Sequence, residues 1–194
     1  MATKKKTTTT PKSNIQKARQ HLEDYLSEFV YGGIDGAVTT FAVVAGATGA
    51  RFDTKVLLVL GFANLIADGF SMGVGSYLST KSEQELMTKK GESIKDEPSP
   101  VINGVSTYAS FILVGLVPLL VFTADLVFDL GMDSMDAFYL TAAMTALAFI
   151  GIGLLKSKVA HAPRLRSVLE TLILGVIAAG FAYALGDLLE QLIT

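Results

Sequence analysis

The chain has 194 residues, 51% hydrophobic and 18% charged, with a mean hydropathy of +0.48 and a net charge of −2. Its apolar residues are gathered into long blocks between charged clusters, which excludes an ordinary soluble domain of this size. It has no cysteine, so disulfides, thiolate metal sites and thiol catalysis are excluded together.

Residues 1–13 are a basic Lys, Thr and Pro tract that reads as a disordered tail. Over residues 14–28, Ile15, Ala18, Leu22 and Leu26 recur at helical spacing among charges, which predicts an amphipathic extension of the first helix at the cytosolic interface. No apolar leader precedes Phe29, so the first span is expected to be its own insertion signal.

A bilayer core about 30 Å thick needs roughly 20 apolar residues per helix. Residues 29–186 therefore form an all-α membrane bundle of five predicted spans. These are Phe29–Ala50, Val56–Thr80, Val101–Ala124, Ala137–Leu155 and Ser167–Gly186, followed by a tail over 187–194. The stretch 81–100 is strongly polar, with Glu83, Glu85, Glu92, Asp96 and Glu97, and is expected to be a short solvated connector with room for one or two helical turns. Pro118 strips a carbonyl one turn earlier of its partner, which predicts a kink in the third span. Gly32 and Gly36, Gly69 and Gly73, and the series Ala178, Ala182 and Gly186 recur every four residues. They mark faces where helices pack closely.

Fourteen of the 16 Lys and Arg residues fall in three places: the N-terminal segment, the loop after the second span and the loop after the fourth. Only Arg51 and Lys55 lie on the other side. An excess of Lys and Arg marks cytoplasmic loops, so this basic face, with the N-terminus, is expected in the cytosol and the C-terminus opposite.

A carboxylate at the centre of a bilayer costs about 2.5–3.5 kcal/mol even on insertion scales, so one found there usually faces a protein interior or a water path. The first span carries Asp35 and the second Asp68. Glu28, Gly32, Asp35 and Thr39 share one face of the first helix. In the second, Asn64, Asp68, Met72 and Ser76 advance by four residues each, with Ser71 and Ser79 alongside. Oxygen ligands alone favour Mg²⁺ or Ca²⁺, and an added thioether shifts preference toward Fe²⁺ or another softer metal. Plainer alternatives stand beside this reading: Asp35 capping a broken helix, Asp68 bonding a neighbouring helix, Met72 filling a gap and Glu28 simply solvated. Glu170 follows Arg166 by one turn, as an ion pair would. His21 and His161 lie in basic segments and are read as solvated. Nothing matches a phosphate loop, a nucleophile elbow or a zinc-protease helix, so neither an enzyme nor a nucleic-acid binder is expected.

The segment Ile34-Asp35-Gly36, the run Phe41 to Gly49, Ser71-Met72-Gly73 with Gly75, and Tyr77 to Glu83 resemble the first two helices of the vacuolar iron transporter family. Ser110-Phe111, Gly115 and Pro118-Leu119 resemble its third, and Arg166 to Gly186 its fifth. The resemblance implies five spans, a cytosolic N-terminus, and a homodimer that moves Fe²⁺ or Mn²⁺ out of the cytosol in exchange for protons along a path at the dimer interface. It also implies that Asp35 and Met72 are metal-path residues and that Glu28 is a carboxylate at the cytosolic end. Two departures stand out. Plant members insert a Glu-rich metal-binding domain between the second and third helices, where this chain has only 81–100, with Glu83 resembling that domain's start. They also carry Glu where this chain has Asn64, and a small residue where it has Asp68.

The expectation is a proton-coupled divalent-metal exporter with no permanently bound cofactor. Its expected metal groups are Asp35, Asp68, Met72, Glu28 and Asn64, with Thr39, Ser71 and Ser76 along the path and Glu83 in the cytosolic loop. A passive cation channel and a non-transporting scaffold or metal sensor remain as alternatives. The membrane would be the cytoplasmic membrane in a bacterium, or a vacuolar or other organelle membrane in a eukaryote.

Overall fold

The computed structural model describes residues 11–94 and 97–193, with side chains from Leu22 onward. Residues 1–10 of the expected disordered tail and the side chain of His21 lie outside the described residues. Six helices follow in order: α1 (Pro11–Gly49), α2 (Thr54–Lys89), α3 (Pro100–Gly115), α4 (Val117–Phe128), α5 (Ser134–Val159) and α6 (Arg164–Ile193). No strand occurs among the described residues.

From Leu22 onward α1 is long and apolar enough to cross a membrane, as are α2, α5 and α6. The pair α3 and α4, bent by 49°, makes a fifth span. The bend falls where Pro118 predicts it. Proline has no N–H to continue the helical ladder, and the chain closes the gap at Leu116 with a tighter turn, Leu119 N–H donating to the Leu116 carbonyl at 3.0 Å.

The second helix outlasts the predicted span by nine residues, ending at Lys89 rather than Thr80. The extra stretch is rich in Glu, Gln, Lys, Leu and Met, all good helix formers. Nothing stops it until Gly91, whose φ of +78° ends the helix in the left-handed conformation that favours glycine. At 36 residues α2 is about 54 Å long, so its last turns stand clear of a 30 Å hydrocarbon core. At its other end Asp53 caps it, accepting from Lys55 N–H at 2.8 Å.

Central to the bundle is α1, which packs against all five other helices and most extensively against α3 and α6. Small residues permit this. A Cβ on Gly36 would run into the Phe111 carbonyl of α3, and one on Gly186 into the Gly46 carbonyl of α1. Backbones therefore touch at these crossings, as packing within lipid requires. The predicted pairs Gly32/Gly36 and Gly69/Gly73 both meet α3, and Ala182 and Gly186 meet α1. Between the crossings, Val44, Leu57, Leu65, Phe111, Leu119 and Phe122 form the main apolar cluster. A second gathers Phe41 and Phe149, and Phe41 stacks on Phe138 at 6.1 Å. The large apolar residues left outside, such as Ile66 and Phe70 on α2 and Val176 and Phe181 on α6, are those a bilayer accommodates.

Candidate metal path

On the basic face a cavity of about 700 Å³ opens between the first turns of α1, the long second helix and the start of α3. Its lining is polar and acidic. From α1 come Asp24, Glu28 and Tyr31, spaced four and three residues apart and so on one stripe. From α2 come Asp68, Met72, Ser76, Thr80, Glu83 and Met87, with Ser71 alongside. The ladder seen in the sequence thus continues through the extra turns of α2, and α3 adds Asn103.

Glu28 is the hub of this cavity. Its Oε2 accepts from Ser76 Oγ of α2 at 2.9 Å and from Thr107 Oγ1 of α3 at 2.8 Å. Both distances suit charge-assisted bonds. Its Oε1 has no hydrogen-bond partner among the described residues, which leaves a lone-pair face for a cation or water. Asn103 Nδ2 donates to Thr80 Oγ1 at 3.0 Å, tying α3 to α2 one turn nearer the mouth. Gln84 reaches back to the Pro98 carbonyl at 2.7 Å, holding the α2–α3 connection against the cavity wall.

Of the residues singled out in the sequence, Glu28, Asp68, Ser71, Met72, Ser76 and Glu83 come together here. Asp35, Thr39 and Asn64 stand outside the lining. Asp35 extends the Asp24, Glu28 and Tyr31 stripe by one more turn, is half-buried, and lies within electrostatic reach of Asp68. The Thr39 hydroxyl donates to the Asp35 carbonyl of its own helix at 2.8 Å. Asn64 lies one turn beyond Asp68, its Nδ2 buried without a partner among the described residues. No three His, Cys, Asp or Glu residues converge as a metal cluster among the described residues. Lining residues that the sequence did not single out include Asp24, Tyr31, Met87 and Asn103. Asp24 and Met87 were readable as extensions of the two stripes by one or two turns. Nothing local marks Asn103 or the buried Thr107.

The sequence model of the VIT family matches residues 26–97 and 85–187, which is most of the chain and every helix described above. The chain belongs to the VIT family. The match divides in the α2–α3 connection, where VIT-family resemblance had already pointed to a shortened loop. The Vacuolar iron transporter of Toxoplasma gondii is 25% identical over 229 aligned residues, covering 88% of this chain and 76% of that protein. Vacuolar iron transporter homolog 4 of Arabidopsis thaliana is 29% identical over 168 residues, covering 82% of this chain and 81% of the relative. Vacuolar iron transporter homolog 3 of the same plant is 28% identical over 191 residues, covering 91% and 92%. VIT-family membership and the apolar spans make the chain a multi-pass membrane protein and place it among transporters rather than enzymes.

The other two sequence expectations concern the surface. Glu170 does pair with Arg166, at 2.9 Å, and Lys156 of α5 joins from the side at 2.7 Å. His161 is exposed, in keeping with a solvated role.

Proposed function

We propose that the protein is a divalent-metal transporter that carries Fe²⁺, or Mn²⁺, out of the cytosol in exchange for protons and works as a homodimer. The observation that carries this reading is the joining of Asp68, Met72 and Glu28 in one open cavity, with Asp68 and Met72 at membrane depth. A carboxylate and a thioether on successive turns form a donor set for a borderline transition metal, and the relatives named as iron transporters favour iron. Metal and proton compete for the same carboxylate lone pairs, so protons arriving from the far side would release the ion.

Two features support a second copy. Ser71, Gly75 and Ser79 are exposed on the polar face of α2, where bare lipid would leave hydroxyls and a carboxylate unsatisfied. Among the described residues no three acidic or imidazole ligands meet at a single point of one protomer, so a facing Asp68 and Met72, together with water, would complete the shell. The cavity lining runs inward from the basic face and stops at Asp68.

The test is flux of Fe²⁺, Mn²⁺, Zn²⁺ and Mg²⁺ into proteoliposomes with an acidic interior. The wild type should accumulate Fe²⁺ or Mn²⁺ against its gradient, and Asp68→Asn and Asp35→Asn should each slow this by at least about tenfold, the equivalent of about 1.4 kcal/mol. Downhill flux indifferent to pH would indicate a channel. Undiminished uptake in both variants would remove the carboxylates from the path.

A further inference from the structure

A second depression, of about 250 Å³ and almost wholly apolar, lies between α2 and α3. Its floor is bare backbone: a Cβ on Gly73 would meet the Gly104 carbonyl at 2.9 Å, and one on Gly104 the Gly73 carbonyl at 2.6 Å. Phe70, Val74 and Tyr77 wall it on one side, and Val101, Val105 and Tyr108 on the other. At about 100° per residue, Phe70, Val74 and Tyr77 sit roughly 180–240° round α2 from Asp68. The groove therefore turns away from the metal path, toward lipid.

Lys81 continues the same stripe, one turn beyond Tyr77, and its Nζ lies 5.9 Å from the centre of the Tyr77 ring. This holds the one cationic group on the stripe over the basic-face end of the groove. The N-terminus of α3 lies at the same rim, where Ser99 makes no side-chain cap, so the positive end of that helix dipole points the same way. An apolar groove with positive charge at one end has the chemistry of a phospholipid site. The geometry points to an anionic phospholipid, one acyl chain laid in the groove between α2 and α3 and its phosphate drawn to Lys81. Its headgroup would anchor α2 at the interface, on the face opposite the cavity.

The experiment is native mass spectrometry of the full-length protein equilibrated with phosphatidylglycerol and phosphatidylcholine of matched chains. The wild type should retain phosphatidylglycerol about fivefold better, the effect of one lysine at a membrane surface. Lys81→Gln should abolish that preference while leaving some lipid bound. Val105→Trp, at a position 61% exposed, should fill the groove and lower retention of both lipids. If that variant melts early, Val101→Trp on the same wall and 59% exposed serves instead. Equal retention of the two lipids by the wild type, or an unchanged preference in Lys81→Gln, would overturn the assignment. So would a groove-filling variant that disrupts self-association while leaving lipid retention intact, since the groove would then belong to a second copy.

Discussion

Replacing Thr107 by Val removes one hydroxyl from Glu28 while keeping the shape of a side chain that is fully buried. The lost bond, 2.8 Å from Oγ1 to Oε2, is of the kind that contributes about 1.5–3 kcal/mol when one partner is charged. Glu28 borders the cavity, so water replaces part of that interaction, and the Thr107 hydroxyl has the Asn103 carbonyl at 3.0 Å as a second acceptor. Both considerations put the coupling near the low end, at about 1–1.5 kcal/mol. The assay is a double-mutant cycle on detergent-purified protein, comparing denaturant unfolding of Thr107→Val, Glu28→Ala, which removes the acceptor altogether, and the double variant. Thr107→Val should cost about 1 kcal/mol more with Glu28 intact than in the Glu28→Ala background. Glu28→Gln should also depress metal uptake more than Thr107→Val, because only the first removes charge from the mouth. A coupling of zero would mean that α3 does not hold Glu28, and the account of the cavity as a site joining three helices would fail.

Gly36→Ala should lower stability by about 1–3 kcal/mol, since the new Cβ meets the Phe111 backbone, which cannot yield. Gly151→Ala on α5, with nothing within 4 Å, should instead gain up to about 1 kcal/mol from helix propensity; equal losses at the two positions would refute the packing argument. Arg51 adopts a left-handed φ of 53° and pairs with Asp187 at 3.9 Å and Glu190 at 3.6 Å while 70% exposed. Arg51→Ala should therefore lower the melting temperature, and Arg51→Gly should leave it nearly unchanged, because relief of a backbone cost of about 1–2 kcal/mol offsets ion pairs worth less than about 1 kcal/mol. Identical melting of the two Arg51 variants would show that the backbone conformation contributes nothing.

Span length, helical period and proline chemistry are local properties, so the sequence alone determined the five apolar segments, the kink before Pro118 and the polar ladder from Asn64 to Ser76. Close approach of backbones was legible from the spacing of Gly32 and Gly36, because only small residues allow it, but their partner on α3 was not. The end of α2 lies beyond the predicted span for a related reason: loss of hydropathy marks the edge of the membrane, whereas a helix ends only where the backbone turns, here at Gly91. Tertiary structure decided which of the polar residues would meet. It turned Glu28 between Ser76 and Thr107, residues 48 and 79 positions away, and set Asp35 and Asn64 one turn past the cavity. No sequence period encodes that choice, because it depends on how three helices rotate about their own axes to seat glycine against backbone.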